Sequence, residues 1–435
     1  MENFWFIFIV SLCICAILKS LFNLVSSSSS STKNKDEVPL PPGPTTFPVI
    51  GSLLWLRKSF AEIEPIIRAT KNRYGPIVSL RITSRPSIFV GSHSLAHRAL
   101  VQNGAVFSDR PAALPTAKIF NSNQHNISSA AYGPTWRLLR RNLTAEILHP
   151  SRVKSYSRAR LWVLGILVQR LQNHEPGVPV VEHFRYAMFG LLLLMCFGGK
   201  LNETQIQDVE NIMRKILLGF GRFQMLNFFP RLGKILFRKR WKELLQMRQE
   251  QENVLLPLIK ARTQAKRQGK QSGSEDEEVV AYLDTLLGLQ LPDEKRELND
   301  GEIVSLCSEF LNAGTDTTTT ALQWIMANLV KYPAIQDKLY NEIVSVVGPP
   351  RGESQMFDIT GSKEIKMMPF GAGRRVCPGL NLALLHLEYF VANLIWQFEW
   401  KAVEGDDVDL SEKQEFTTVM KNPLRALITP RVQSI

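Results

Sequence analysis

One stretch constrains this chain more than any other: Phe370-Gly371-Ala372-Gly373-Arg374-Arg375-Val376-Cys377-Pro378-Gly379, followed at once by an apolar helical pattern from Leu380 to Trp396. It sets one cysteine in a glycine-rich loop at the mouth of a long helix. The first N–H groups of that helix, and the positive end of its dipole, are aimed at the sulfur. Thiolate is the metal-binding form of cysteine, and a helix N-terminus with nearby arginine favours it. Gly371 and Gly373 permit a tight bend, and Gly379 permits close approach of a flat group. A single Cys ligand leaves the opposite face of a bound iron open. A lone cysteine beside a helix cap also reads as a small buried apolar side chain, and the surrounding spacing has to decide.

The 435 residues are many for one ordinary domain but within reach of a single large helical fold. Hydrophobic residues at 45% support a substantial core, and 21% charge is ordinary for a globular protein. The net charge of +12 is spread along the chain without any zinc-finger spacing. That excludes an obvious nucleic-acid module and suits an acidic membrane surface or redox partner, although solubility alone also accounts for it. Five cysteines form neither a disulfide framework nor a zinc site; Cys13 and Cys15 lie in the apolar N-terminus, Cys196 and Cys307 in apolar helical patterns. The catalytic part is expected in a reducing compartment.

Phe4 to Leu18 carries nothing more polar than Ser11, and extension to Val25 gives a length that spans the hydrocarbon core. Glu2 in place of a basic n-region, and no small-x-small cleavage site, argue against a signal peptide. Lys19, Lys33 and Lys35 follow the span, which places the remainder in the cytosol. We expect an anchor over 3–25, a serine-rich tether and proline-rich hinge over 26–46, and a catalytic domain over 47–435.

Ile77 to Ile82 alternates like a strand, with Ser87 to Val90 as its hairpin partner, and helical periodicity dominates from about residue 92. Pro134 to Leu148 reads as a helix with Trp136 and Arg140 on one face. Leu217 to Ile235 mixes Phe and Leu with Arg222, Arg231 and Lys234; it reads equally as an amphipathic helix pair or as a membrane-facing cover of a pocket. Gln264 to Glu278 is polar and reads as an exposed connection. Asn299-Asp300-Gly301-Glu302 resembles a capping box opening a helix that runs to Tyr332, with Pro333 as its stop. Its centre, Ala313-Gly314-Thr315-Asp316-Thr317-Thr318-Thr319-Thr320, is poor helix material and marks a candidate functional site or a threonine-rich packing seam.

The loop at Cys377 matches the haem-binding signature Phe-x-x-Gly-x-Arg-x-Cys-x-Gly at all five fixed positions, and the chain thereby resembles the cytochrome P-450 family. Ala313 to Thr318 match that family's oxygen-activating helix, and Trp136-x-x-x-Arg140 its C helix. The phrases Leu311 to Thr317 and Phe416 to Pro423 resemble plant A-type enzymes of family eighty-nine. The resemblance implies a mainly α fold with small β-sheets and haem b (iron protoporphyrin IX) as cofactor. It further implies Cys377 as axial metal ligand, Phe370 shielding the sulfur, and Gly373 and Gly379 shaping the loop. Trp136, Arg140 and Arg375 would contact haem propionates. Gly314 would leave room for dioxygen, with Thr317 and Asp316 serving proton delivery. The activity implied is monooxygenation of a small apolar substrate, with electrons from NADPH passed by NADPH-cytochrome P-450 reductase. The implied setting is the endoplasmic reticulum membrane, single-pass and in contact with lipid, with the domain cytosolic and no nucleic-acid partner.

One departure stands out. Sixty residues separate Thr317 from Cys377, less than half the family's distance. The one Glu-x-x-Arg, Glu182 to Arg185, lies far too early to be the K-helix pair. We therefore expect the K-helix and meander region to be lacking, through a deletion near 348–357. The leading alternative to an enzyme is a membrane-anchored, non-catalytic remnant or splice product with impaired haem binding. A haem-bearing redox module without oxygen chemistry has no need of the Asp316-Thr317 pair.

Overall fold

The computed structural model describes residues 8, 11–17, 19, 39–44, 60–81, 86–175, 177–227, 232–268, 280–346 and 364–431. Most of the expected anchor, much of the tether, and the junction near 348–357 lie outside them. Residues 8, 11–17 and 19 are helical, yet no helix among the described residues is long and apolar enough to cross a membrane. Contacts divide the chain into two units, 1–96 and 97–435.

In the first unit, helix α1 (Phe60–Tyr74) precedes an antiparallel hairpin of β1 (Ile77–Arg81) and β2 (Pro86–Val90), as the alternation predicts. The proline-rich segment is fastened to β1: Ser79 donates from its N–H to the Pro42 carbonyl at 3.0 Å and from its hydroxyl to the Pro41 carbonyl at 2.6 Å. Gly43 is obligatory there, since a Cβ would fall 1.9 Å from the Ser79 carbonyl oxygen.

The second unit is mainly helical. Its longer helices are α2 (Pro134–Glu146), α3 (Ser157–Gln172), α4 (Val181–Phe197), α5 (Glu203–Gly219), α6 (Arg238–Arg267), α7 (Asp300–Lys331), α8 (Pro333–Val346) and α9 (Leu380–Gln397). Among the described residues it also has three antiparallel pairs: β3 (Gln290–Leu291) with β4 (Arg296–Glu297), β5 (Phe398–Ala402) with β8 (Ala426–Pro430), and β6 (Glu412–Gln414) with β7 (Thr418–Met420). Residues 184–197 of α4 are buried without exception, the state expected of a helix apolar all round. This helix packs along α7 and is closed by Gly198 in the left-handed conformation.

The capping box is present: Asn299 Oδ1 accepts from the Glu302 N–H at 3.0 Å, and Glu302 Oε2 from the Asn299 N–H at 2.9 Å. Pro333 stops α7 by opening α8. Gln336 of α8 is pinned to Trp400, donating to its carbonyl at 2.9 Å and accepting from its N–H at 3.0 Å. The connection expected from Gln264 begins later, because α6 continues to Arg267; 269–279 lie outside the described residues. Leu217 to Ile235 contains the end of α5, a 3-10 stretch Phe220–Asn227 and a short helix Leu232–Leu236. The early Glu182–Arg185 pair is a local ion pair on α4 at 2.6 Å.

His386 on α9 is buried at 3% exposure, and its Nε2 has no hydrogen-bond partner. Burial first, and the Arg160 charge second, push its pKa down from 6.5 to about 3. A histidine kept neutral by folding takes its proton first in the unfolded chain. Stability is therefore full above pH 6.5 and falls as pH drops toward about 3, by ~1.4 kcal/mol per unit. Urea midpoints at pH 7 and 5 should show this slope in the parent chain and a shallower one in His386→Leu. Parallel slopes would assign the acid sensitivity elsewhere.

Candidate active site

The loop before α9 is built from nested turns. The Cys377 N–H donates to the Phe370 carbonyl at 2.9 Å, Val376 N–H to Gly373 at 3.1 Å, and Gly371 N–H to Met368 at 3.0 Å. Gly371 and Gly373 have φ of 72° and 74°, the left-handed region where glycine is at ease. Gly373 is constrained further, because a Cβ there would lie 1.9 Å from the Leu100 carbonyl oxygen. Gly379, the N-cap of α9, has an ordinary φ of −87°. A Cβ on it would sit 3.9 Å from the Cys377 Sγ, an ordinary contact, so neither backbone angle nor crowding by the protein requires glycine here. Burial, the largest influence, raises the Cys377 thiol above its ordinary pKa, and the Gly379 N–H and then the Arg140 charge offset part of that rise.

Arg375, two residues earlier, spends its guanidinium on backbone: Nε donates to Ser108 at 2.6 Å, Nη2 to Ala130 at 2.7 Å and Nη1 to Ile127 at 3.4 Å. It lies over the buried Trp136 ring at 4.8 Å, and Arg140 lies 5.7 Å from the same ring. Arg140 Nη2 donates to the Val376 carbonyl at 2.5 Å, so α2 grips the cysteine loop directly. Arg110 joins the group, its Nε donating to Ser128 at 3.0 Å. Burial first, and then the charges of Arg110 and Arg140, lower the Arg375 pKa, with Asp109 opposing them. Asp109 itself is held below the usual carboxylate range, chiefly by the Tyr132 and Arg110 N–H groups.

This donor set fits a flat, carboxylate-bearing iron macrocycle. Arg375 feels the charges of Arg110 and Arg140 against the one carboxylate of Asp109, an excess of positive charge suited to carboxylates, and Arg140 also acts on the lone thiol of Cys377. Among the described residues no group of three His, Cys, Asp or Glu could hold a metal ion.

On α7 the Thr317 side chain is exposed, its hydroxyl donating to the Ala313 carbonyl at 2.7 Å. Asp316 Oδ2 accepts from the Thr417 hydroxyl at 2.9 Å, and Thr417 lies 3.1 Å from the Thr320 hydroxyl. Asp316 also lines a cleft with Arg185, Glu210, Arg214 and Thr315. Gly314 serves a packing role: a Cβ there would stand 2.7 Å from Leu192 Cδ1, so its smallness lets α7 approach α4. Phe370 meets Cys377 through its carbonyl.

Sequence reasoning missed Arg110, Thr417 and Glu309. The run Ser108-Asp109-Arg110-Pro111 was a visible cue for the first, and Thr417 lay within a phrase noted only for its resemblance. Glu309 sits two turns before Asp316 with no local signal, and accepts from the N–H groups of Ile127 at 2.8 Å and Ser128 at 2.7 Å.

The cytochrome P450 family model matches the chain in two stretches, residues 41–361 and 358–429. The chain belongs to the cytochrome P450 family. Cytochrome P450 89A9 of Arabidopsis thaliana is 45% identical, over 90% of this chain and 94% of that protein. Their alignment is 488 positions long, more than the chain itself, so it contains gaps opposite residues that the relative has. Isoflavone 2'-hydroxylase of Medicago truncatula is 24% identical over 97% of each protein. A zebrafish cytochrome P450, in a structure with progesterone, superposes with a TM-score of 0.66 at 19% identity, covering 87% of this chain and 99% of that one. As a cytochrome P450 monooxygenase by family, the chain has haem as its implied cofactor.

Proposed function

We propose that this cytochrome P450 binds haem b through Cys377 and inserts one oxygen atom of dioxygen into a small apolar substrate. The loop 370–379, with the sulfur beside the Gly379 N–H and gripped by Arg140, carries the reading. Haem b is favoured because the sequence has no Cys-x-x-Cys-His attachment motif. When bound, the haem supplies thiolate-assisted oxygen activation. Cys377 would provide the thiolate; burial raises its pKa, the Gly379 N–H and the Arg140 charge offset part of that rise, and loss of the thiol proton would accompany metal binding. Arg110, Arg140 and Arg375 supply the positive edge for the propionates, with Trp136 as the apolar floor beneath two of them. Thr317 Oγ1, whose own proton is donated to the Ala313 carbonyl, would offer its oxygen as an acceptor in a proton path. Asp316 next to it hands protons on, its carboxylate oriented by Thr417.

The reading extends to NADPH electrons passed by a membrane-bound flavoprotein reductase, and to an N-terminal anchor in the endoplasmic reticulum with the domain cytosolic. The apolar run from Phe4 to Val25 supports the anchor. The K-helix and meander region is absent in this reading; the family match restarting at 358–361 and the gapped alignment both support a deletion there. A non-catalytic remnant is not favoured, since the cysteine loop and its arginine supports close on one another in the shortened chain.

The test is a carbon-monoxide difference spectrum of the reduced full chain in yeast microsomes. The long-wavelength band of thiolate ligation is expected, and Cys377→Ser should remove it. A blue-shifted band, or none, in the parent chain would overturn the assignment.

A further inference from the structure

Residues 126–130 form a loop whose two edges meet opposite charges. On one edge Glu309 of α7 accepts three bonds: from Ile127 N–H at Oε2, 2.8 Å, and at Oε1 from Ser128 N–H, 2.7 Å, and Asn126 Nδ2, 3.2 Å. On the other edge the carbonyls face the arginines. Ser128 accepts from Arg110 at 3.0 Å, Ala130 from Arg375 at 2.7 Å, and Ile127 more loosely from Arg375 at 3.4 Å. The peptides of Ile127 and Ser128 thus turn N–H toward a carboxylate and C=O toward guanidinium. Bonds in such a chain polarise one another. Charge-assisted bonds of this kind are about twice as strong as neutral ones.

The loop is held in a conformation that it would not keep alone. Ser122, Asn123 and Gln124 just upstream have φ of 46°, 57° and 72° without being glycine. Backbone of this kind persists where its surroundings over-determine it. Here the Ser122 hydroxyl lies 2.7 Å from the Ser305 hydroxyl and donates to the Gly301 carbonyl at 2.9 Å, both on α7. The segment is clamped to α7 at both ends, and Glu309 is the clamp nearer the arginines.

The geometry points to Glu309 as a positioning residue for the cysteine loop. Through the peptides of 126–130 it fixes Arg110 and Arg375, and through Arg375 it fixes Cys377. The helix that carries Asp316 and Thr317 and the loop that carries the thiolate are thereby held as one body. This deepens the haem-thiolate reading and rests on it for the role of Cys377.

Amide hydrogen exchange followed by mass spectrometry tests it on the full chain, with and without haem. Glu309→Gln keeps the shape but puts an NH2 donor where an acceptor oxygen was. Exchange should quicken at 126–130 and at 373–377 together, by roughly tenfold or more. In the haem-loaded variant the thiolate band should fall relative to a blue-shifted one. Glu309→Asp, which keeps the charge, should restore part of both. Faster exchange confined to 126–130, with an unchanged band, would reduce Glu309 to an anchor of its own loop and overturn the proposal. Should the Gln variant fail to fold, Glu309→Asp gives the same two-segment readout, smaller in size. If the parent chain shows no thiolate band, the haem reading fails, while the exchange data still decide whether Glu309 governs the cysteine loop.

Discussion

Gly373→Ala is expected to cost the fold about 3 kcal/mol or more, the largest effect of any single methyl in the site. Two penalties coincide: a left-handed φ of 74°, and a Cβ placed 1.9 Å from the Leu100 carbonyl oxygen. The oxygen belongs to the backbone, which cannot swing aside as a side chain would. Gly371→Ala is the natural control. Its φ of 72° is nearly the same, but a Cβ there meets nothing within 4 Å. It should cost only the conformational strain, ~1–2 kcal/mol. Urea unfolding of both variants separates the two contributions. Equal losses would mean that the contact with Leu100 is relieved at no cost, and that the tightness of the loop is not what Gly373 provides.

Arg375→Ala should destabilise by about 2–4 kcal/mol, because it leaves buried carbonyl acceptors without their charged donor. Ser108 and Ala130 lose bonds of 2.6 and 2.7 Å, and the Trp136 ring loses its covering cation. The more discriminating variant is Arg375→Lys. An ammonium is a compact point charge and cannot reach several carbonyls with a planar fork. Lysine should therefore recover little of the loss, both in urea unfolding and in the fraction of chain that retains haem through gel filtration. If lysine restores both, positive charge alone is sufficient and the forked geometry has no role.

What was legible in the sequence was local. The cysteine loop reads directly because glycine spacing, arginines and the start of a helix are contiguous over ten residues. The capping box at Asn299 and the hairpin of β1 and β2 read for the same reason: each is a relation between near neighbours. What was not legible acts through space. The resemblance implies a propionate contact for Arg375, but nothing in the sequence shows that its donors also hold Ser108, Ile127 and Ala130, residues that no periodicity relates to it. The resemblance implies that Gly314 leaves room for dioxygen, and nothing in the sequence shows that its missing Cβ also admits Leu192 from a helix more than a hundred residues earlier. Glu309 looked like one more polar residue on a long helix. Only its position opposite two backbone N–H groups gives it a role.

The cysteine loop is tied to carbonyls 245 and 267 residues before it, at Ala130 and Ser108. Together they close a ring around most of the chain, and rings of such span form late in folding. The entropy of closing one rises only with the logarithm of its length, by about 0.6 kcal/mol per doubling. Removing several dozen residues from inside the ring would thus ease closure by about a few tenths of a kcal/mol. Loss of an exon between α8 and the cysteine loop would consequently strip away buried surface while leaving the topological task of joining the two ends almost unchanged. A chain shortened in this way would therefore face almost the same task in bringing its cysteine loop back to Ser108 and Ala130.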